Sequence, residues 1–317
     1  DFNILYIREK KQIYFWILLK QIIFFNFNFM TYCKNYIKYT SPKIVITFIE
    51  NNIQFYELKN SFSDIHFIAV ENGLRGNEFF KSKRIQKAKK LKCDHIFVYN
   101  KHLLKKYEKI IKSNFHILGS FKNNLVNINK TKVYGEFLYI SEYFFFSDDR
   151  RLNSQINLLN LINVYLSNNN KKLHILIKNK TLSRQKKEVN FYKNLFKSNC
   201  VIHKTSYWKN SYKLLDKYEN IIFSSSSLGH EAIARKKKVA IFSPKTLGKV
   251  NYHFGWPAPI EKKYNFFLTQ KPNKEEVKRV LNNVKNCSQA NWEKKYFSIL
   301  NDQLSYNKNN KTLKKKI

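Results

Sequence analysis

Short apolar runs recur along the chain, separated by stretches whose apolar residues fall at helical spacing. The runs at 43–48, 65–70, 95–99 and 115–118 read as strands, and so do those at 137–140, 173–177, 200–203, 221–224, 239–242 and 266–268. Continuous apolar runs of this length, bounded by turn residues, suit strands buried on both faces. The stretches 29–39, 52–59, 81–91, 101–111, 152–166, 183–196, 208–217, 274–284 and 289–300 read as helices. Residues 2–7 read as one more strand and 12–25 as helical or mixed. Strand and helix alternate throughout, the pattern of parallel sheets with helices on both faces. The polar, Asn-rich stretch 121–132 reads as a linker. The expected division is therefore a first α/β domain over 1–125 and a second over 133–287. A terminal helix within 288–305 is expected to cross back, and a basic tail over 306–317 is expected to be disordered and solvated.

In such sheets ligands bind beyond the carboxyl ends of the strands. In the first half those ends are followed by Glu50, Asn51 and Asn52, then by Glu71, Asn72, Gly73 and Arg75, then by Asn100, and then by Gly119 and Ser120. In the second half come Ser141 and Glu142, Lys178, then Lys204, Thr205 and Ser206, then residues 225–231, and Ser243. Carboxylates and amides crowd the first set; lysine, serines and a helix start crowd the second. The asymmetry points to an acceptor side with a base and a donor side that binds phosphate and ribose.

The densest stretch is 221–242, IIFSSSSLGHEAIARKKKVAIF. It reads as strand, serine-rich turn, short helix and strand, a parallel crossover. Ser227 is expected to cap the helix, and Gly229 in the first turn to let a ligand approach the backbone. The N–H groups of a helix start, with the positive end of its dipole, form an anion site. Glu231, one turn in, can accept two hydroxyl hydrogen bonds. A phosphate beside a diol describes a nucleotide sugar. Plain readings stand beside these: a capped helix with a surface Glu231, a Glu71–Arg75 pair closing a turn, Lys178 as one lysine among many, and His253 as loop packing.

Composition narrows the classes. The chain has 317 residues, 43% of them hydrophobic, and a net charge of +37. That field attracts nucleotide diphosphates, lipid phosphates, acidic bilayers or nucleic acid. Cys33, Cys93, Cys200 and Cys287 lie far apart without CxxC spacing, so neither a zinc site nor a disulfide framework is expected, and free thiols suit a reducing compartment. Asp148 and Asp149 are adjacent rather than spaced as a DxD motif, and no HExxH or P-loop pattern occurs, so no metal is expected. The apolar stretch 14–29 is short and interrupted by Lys20, Gln21, Asn26 and Asn28, which argues against a span, and no cleavable signal is visible. The chain opens at Asp1, and its only methionine is Met30.

Four segments carry a resemblance. Ser226-Ser227-Leu228-Gly229-His230-Glu231-Ala232, with Ala234-Arg235 and Lys237-Lys238-Val239, resembles the "STLGYEALARGKKV" segment of bacterial surface-carbohydrate biosynthesis proteins of the GT-B glycosyltransferase type. Ile46-Thr47-Phe48-Ile49-Glu50-Asn51-Asn52 is similar to that group's "ITFIDNN", Glu71-Asn72-Gly73-Leu74-Arg75 to its "QNGLR", and Phe254-Gly255-Trp256-Pro257 to its "FGWP". The departures are Glu50 for Asp, Glu71 for Gln, His230 for Tyr, and Lys236 for a helix-ending Gly.

The resemblance implies a GT-B architecture, two Rossmann-like domains facing across a cleft. A domain of that type opens with a strand and helix before residues 2–7, so the first domain is expected to be short at its N-terminus. The implied function is transfer of a sugar, or a polyol phosphate, from a nucleotide-activated donor to a growing surface glycan, without a bound metal or other cofactor. Glu231 would hold the ribose, Ser226, Ser227 and Gly229 the diphosphate, and Lys178 would add charge. Glu71 or Glu50 would be the general base and Arg75 would steady developing negative charge; Asn52, Asn72 and Gly73 complete the substrate set. The partners implied are a nucleotide sugar, a glycan or lipid-linked acceptor, and an anionic membrane touched from the cytoplasmic side. A nucleotide-sugar 2-epimerase and a non-catalytic basic protein for nucleic acid or membrane are the alternatives; the latter leaves the strand-end carboxylates unexplained.

Overall fold

The computed structural model describes residues 14–23, 25, 28–88, 91–129, 134–143, 149–243, 264–301 and 304–317. The expected strand at 2–7 and the segment from His253 to Pro257 lie outside them, as does Asp148. The chain forms two compact units, one of residues 1–72, 79–98 and 104–116, the other of residues 73–78, 99–103 and 117–317.

The first unit holds a sheet of β1 (Ile44–Thr47), β2 (His66–Val70), β3 (Lys92–Val98) and β4 (Lys112–Ile117), in the order β1-β2-β3-β4. Its core runs along β2 and β3, where Phe67, Ile68, Ala69, Val70, Ile96, Phe97 and Val98 are buried. β1 was expected to be buried on both faces. Among the described residues it is instead an outer strand of this sheet, with Ile46 42% exposed and Phe48, just after it, 43% exposed. The helix expected over 81–91 is short, Lys83–Lys87, started by Ser82 Oγ accepting from the Ile85 N–H at 3.3 Å and ended by extended backbone at Ala88. Lys83 and Lys87 are a like-charged i,i+4 pair with no acidic residue in the first turn, which limits propagation.

The second unit holds β5 (Tyr134–Ile140), β6 (Leu173–Leu176), β7 (Cys200–His203), β8 (Tyr218–Phe223), β9 (Lys238–Phe242) and β10 (Leu268–Thr269), in the order β10-β9-β8-β5-β6-β7. All neighbours are parallel. The chain moves outward from β5 to β7, returns to the centre at β8, and then moves outward the other way. The β5–β8 pair is therefore the point where strand order reverses, the place at which parallel α/β sheets generally take a ligand. The buried core on the two faces of this sheet includes Leu159, Ile162, Tyr192, Leu215, Ile233, Val280 and Leu281 from the crossover helices.

The segment expected to be a linker is bound into this unit. Asn124 Nδ2 donates to Leu118 O at 2.9 Å and to Asn310 Oδ1 at 2.8 Å, and Asn124 Oδ1 accepts from the Asn307 N–H at 2.9 Å. Gly119 has φ +73°, and a β-carbon there would stand 2.1 Å from Ser305 O, so only glycine fits. The tail expected to be disordered forms a 3-10 turn, Lys308–Asn310, and a helical turn, Lys311–Lys314, with Asn310 and Leu313 buried. Two asparagines hold it: Asn310 Nδ2 donates to Phe121 O at 3.1 Å, and Asn307 Oδ1 accepts from the Thr312 N–H at 3.2 Å. The expected terminal helix forms without a gap, as Gln289–Trp292, a π-helical turn Glu293–Phe297, and Ser298–Asn301, with Trp292 and Leu300 in the second unit's core.

Candidate functional site at the strand reversal

At the end of β5 the chain places Ser141 and Glu142, and at the end of β8 the serine turn. The Glu142 carboxylate fills that turn. Its Oε1 accepts from the N–H groups of Ser224 at 2.8 Å, Ser225, and Ser226 at 2.9 Å, and its Oε2 accepts from Ser225 Oγ at 2.7 Å. Successive N–H groups in a turn make an anion nest. Here a carboxylate of the chain itself occupies it. The expectation that the Ser226 N–H meets a diphosphate is corrected accordingly: that donor is engaged by Glu142.

The helix Ser227–Ala234 follows. Its N-cap is Ser226, one residue before the expected Ser227, and Ser226 makes no side-chain cap. The first N–H groups of a helix have no partner within it. With Ser226 turned to Glu142, the first turn at Ser227, Leu228 and Gly229 is the anion-seeking end of this crossover, and Ser227 and Leu228 are partly exposed. Gly73, whose loop belongs to this unit, is brought beside it; a β-carbon on Gly73 would lie 3.5 Å from Ser227 Oγ. Gly229 has a different role from the one expected. A β-carbon there would lie 2.1 Å from Phe223 Cγ, so its missing side chain lets the helix pack on β8 rather than admitting a ligand.

Glu231, expected as an open ribose-binding carboxylate, is 5% exposed. Its Oε1 accepts from Ser120 Oγ at 2.5 Å and its Oε2 from Tyr212 OH at 2.7 Å. Burial raises its pKa, opposed by the two hydroxyl hydrogen bonds and by Lys122 and Arg235. Burial likewise drives the Tyr212 hydroxyl well above its ordinary range, helped by the Glu231 charge. A carboxylate offers about four lone-pair directions, and the protein uses two here.

At the end of β6 the geometry repeats. Glu188, fully buried on the helix Leu182–Phe196, accepts from the N–H of Lys178 at 2.9 Å, and from the N–H and side-chain amide of Asn179 at 2.9 and 2.6 Å. Ser141 Oγ also donates to Glu188 and lies 2.8 Å from Tyr192 OH. The Lys178 backbone is thereby fixed while its side chain is exposed. Sequence reasoning missed the roles of Glu142, Glu188 and Tyr212. The apolar spacing of their helices and strands marks burial, but only the strand order brings their partners together.

Arg235 was missed as well. It is buried, and all its donors are used: Nε and Nη2 to the Asp216 carboxylate, Nη1 to Asn123 Oδ1 and Val126 O, and Nη2 to Asn127 O. Asp216 Oδ2 also accepts from the Asn129 N–H at 3.0 Å. This pair ties 123–129 to the end of the helix that bears Glu231.

In the first unit, Glu50 is fully buried, with Oε2 accepting from the Asn72 N–H at 3.2 Å and Oε1 3.4 Å from Tyr107 OH. Glu50 thus holds the end of β1 to the loop after β2. Asn52 caps the helix Ile53–Lys59, its Oδ1 accepting from the Gln54 N–H at 3.2 Å. Glu71 is buried, and its N–H extends the ladder to Phe97 O at 2.9 Å; Asn72 is exposed and Arg75 half-buried. Among the described residues no cluster of three His, Cys, Asp or Glu side chains suits a metal ion.

Two parallel α/β sheets, the second with its strand order reversing at β5–β8, place the chain in the class of GT-B-like folds, and known proteins bear that class out. The solved structure of the UDP-GlcNAc 2-epimerase from Methanocaldococcus jannaschii matches with a TM-score of 0.55 at 14% identity, over 90% of this chain and 79% of that one. MurG from Acinetobacter baumannii matches at 0.50 and 9%, over 91% and 76%. TarM matches at 0.50 and 15%, over 90% of this chain; the chain spans 57% of TarM. At these identities the likeness is one of fold. Residues 68–317 match the family described as "putative O-antigen biosynthesis protein", and the chain belongs to that family. No curated protein sequence matches it.

Proposed function

We propose that the protein is a nucleotide-sugar-dependent glycosyltransferase of surface-polysaccharide assembly, passing a sugar or polyol phosphate to a glycan or lipid-linked acceptor. The observation that carries this reading is the helix start at Ser227–Gly229, at the strand reversal, with a carboxylate one turn in. The donor diphosphate would lie against the first-turn N–H groups and the Ser227 hydroxyl, with Ser226 shaping the turn and Lys178 adding charge. Glu231, held by Ser120 and Tyr212, would use its remaining lone pairs for the ribose. These groups would meet the leaving diphosphate's charge without a resident metal. Glu71 is the proposed base and Arg75 the group that steadies developing negative charge, with Asn72 and Gly73 beside the acceptor. Glu50 and Asn52 shape that region through the bonds described above. Such a donor would be met on the cytoplasmic side of the membrane.

Titration calorimetry with nucleoside diphosphates tests the donor site. Ser227→Asp places a negative charge at the helix start and is expected to weaken binding at least tenfold, about 1.4 kcal/mol. Unchanged affinity would sink the assignment. Incubation with a nucleotide-activated N-acetylhexosamine and no acceptor separates transfer from 2-epimerisation, because only an epimerase converts it.

A further inference from the structure

The helix Phe15–Ile23 is turned inside out. It buries Ile17 and Gln21 while Phe15, Trp16, Ile22 and Ile23 are 67%, 66%, 46% and 61% exposed. On its inner face Gln21 Nε2 donates to Asn28 O at 3.0 Å, and just before the helix the Tyr14 N–H donates to Tyr32 OH at 2.9 Å. A helix on a water-facing surface shows the reverse pattern, apolar inward and polar outward. Large contiguous exposed apolar patches mark interaction sites.

Charge decides the occupant. From residue 14 to 49 the chain has four lysines, Lys20, Lys34, Lys38 and Lys43, and no Asp or Glu. A second copy of this segment would bring like charges together, which disfavours self-association. Trp and Phe beside aliphatic side chains and lysine suit the headgroup region of an anionic bilayer. No described helix is long and apolar enough to cross a membrane, so this one would lie in the interface plane.

We infer that the helix Phe15–Ile23 docks the protein on an anionic phospholipid surface, inserting Phe15, Trp16, Ile22 and Ile23 with Lys20 at headgroup level. The inference rests on the proposed function only for its purpose, bringing the enzyme to a lipid-linked acceptor.

The test is co-sedimentation of the full chain with vesicles of phosphatidylcholine alone or mixed with phosphatidylglycerol. Wild type is expected to pellet with the mixed vesicles and less so as salt rises. The double variant Trp16→Ser, Ile23→Ser is expected to lose about tenfold or more in partitioning. Lys20→Glu removes one attraction and adds a repulsion, for roughly a thirtyfold loss. Leu182→Ser, at a 74% exposed residue of the second unit, is expected to bind as wild type. All these sites are exposed, so the variants should keep the wild-type melting temperature and affinity for nucleoside diphosphate. Absence of wild-type binding to anionic vesicles overturns the inference, and so does a double variant that binds as well as wild type. A double variant that turns a dimer into a monomer without changing lipid binding overturns it in favour of a second copy. Nucleotide calorimetry is unaffected by any of these outcomes, so the donor site and the docking surface can fail separately.

Discussion

At the scale of single residues, Glu231 departs furthest from what its sequence context suggests. A carboxylate expected to wait in an open cleft is instead buried between two hydroxyls. Removing it should therefore cost stability as well as any ligand affinity. Hydrogen bonds to charged groups contribute about 1.5–3 kcal/mol each, so Glu231→Ala is expected to destabilise by roughly 2–4 kcal/mol in chemical denaturation. A change below about 0.5 kcal/mol, the ordinary range for surface substitutions, would mean the carboxylate is not buried as described. Its titration gives a second reading. The folded-state pKa is raised, chiefly by burial, so the folded protein binds this proton more tightly than the unfolded chain. The resulting contribution is fully present below the unfolded glutamate pKa and is lost as pH rises through the folded value. Glu231→Gln cannot titrate, so the stability difference between wild type and this variant should drift against wild type across that window. A difference profile flat in pH would contradict the assignment. Gly229 is the other residue whose role changed. A β-carbon would meet the Phe223 ring, so Gly229→Ala should act as an overpacking substitution costing about 1–3 kcal/mol. A neutral melting temperature would show that helix and strand have room to part.

At the scale of elements, apolar run length was the legible signal. The strand Cys200–His203 coincides with its expected run, and the other nine in the described regions fall within a few residues of theirs, because short apolar runs bounded by turn residues mark strands whether central or half-buried. What could not be read depends on neighbours distant in sequence. The exposure of Ile46 goes with β1 lying outermost among the described strands of its sheet, and the Glu142 nest with β5 lying beside β8. The segment 121–132 looked like a linker because it is polar, yet its amides and the buried Arg235–Asp216 pair make it part of the second unit. Breaking a buried pair by removing one partner costs about 3–5 kcal/mol, and Asp216→Asn is expected to fall at the upper end because Arg235 would keep its charge without compensation. Chemical denaturation checks it; a loss under about 1 kcal/mol, the worth of an exposed pair, would be inconsistent with this burial. The helix that bears Glu231 ends in a left-handed residue at the position where the resemblance implies a glycine: Lys236 has φ +63°. The Lys237 N–H bonds Ala232 O and the Lys236 N–H bonds Ile233 O, the closing pattern that favours glycine at the left-handed position. Lys236→Gly should stabilise by roughly 0.5–1 kcal/mol, even after losing an exposed ion pair with Glu293 that is worth little.

At the scale of the whole molecule, charge outweighs the ion pairs. The chain carries 59 basic against 22 acidic side chains, for +37. Buried carboxylates such as Glu142 and Glu188 accept from N–H groups and hydroxyls, so they do little to neutralise the lysines that face solvent. Long-range repulsion should therefore strain the folded state at low ionic strength. Surface pairs such as the exposed Lys236–Glu293 and the half-buried Arg279–Glu276 would weaken with salt, but such pairs are worth only about 0–1 kcal/mol. The screening length falls from about 30 Å at 0.01 M to about 8 Å at 0.15 M, which relieves repulsion between distant lysines far more than it costs close pairs. The melting temperature should consequently rise with sodium chloride over that range, by roughly 1–2 °C for each kcal/mol of repulsion relieved, since the unfolding entropy grows with chain length. An equimolar uncharged osmolyte, which leaves the screening length alone, should do less. A melting temperature that stays level or falls as salt is added would mean the surface pairs outweigh the net charge, and that the lysines are compensated more closely than their number suggests.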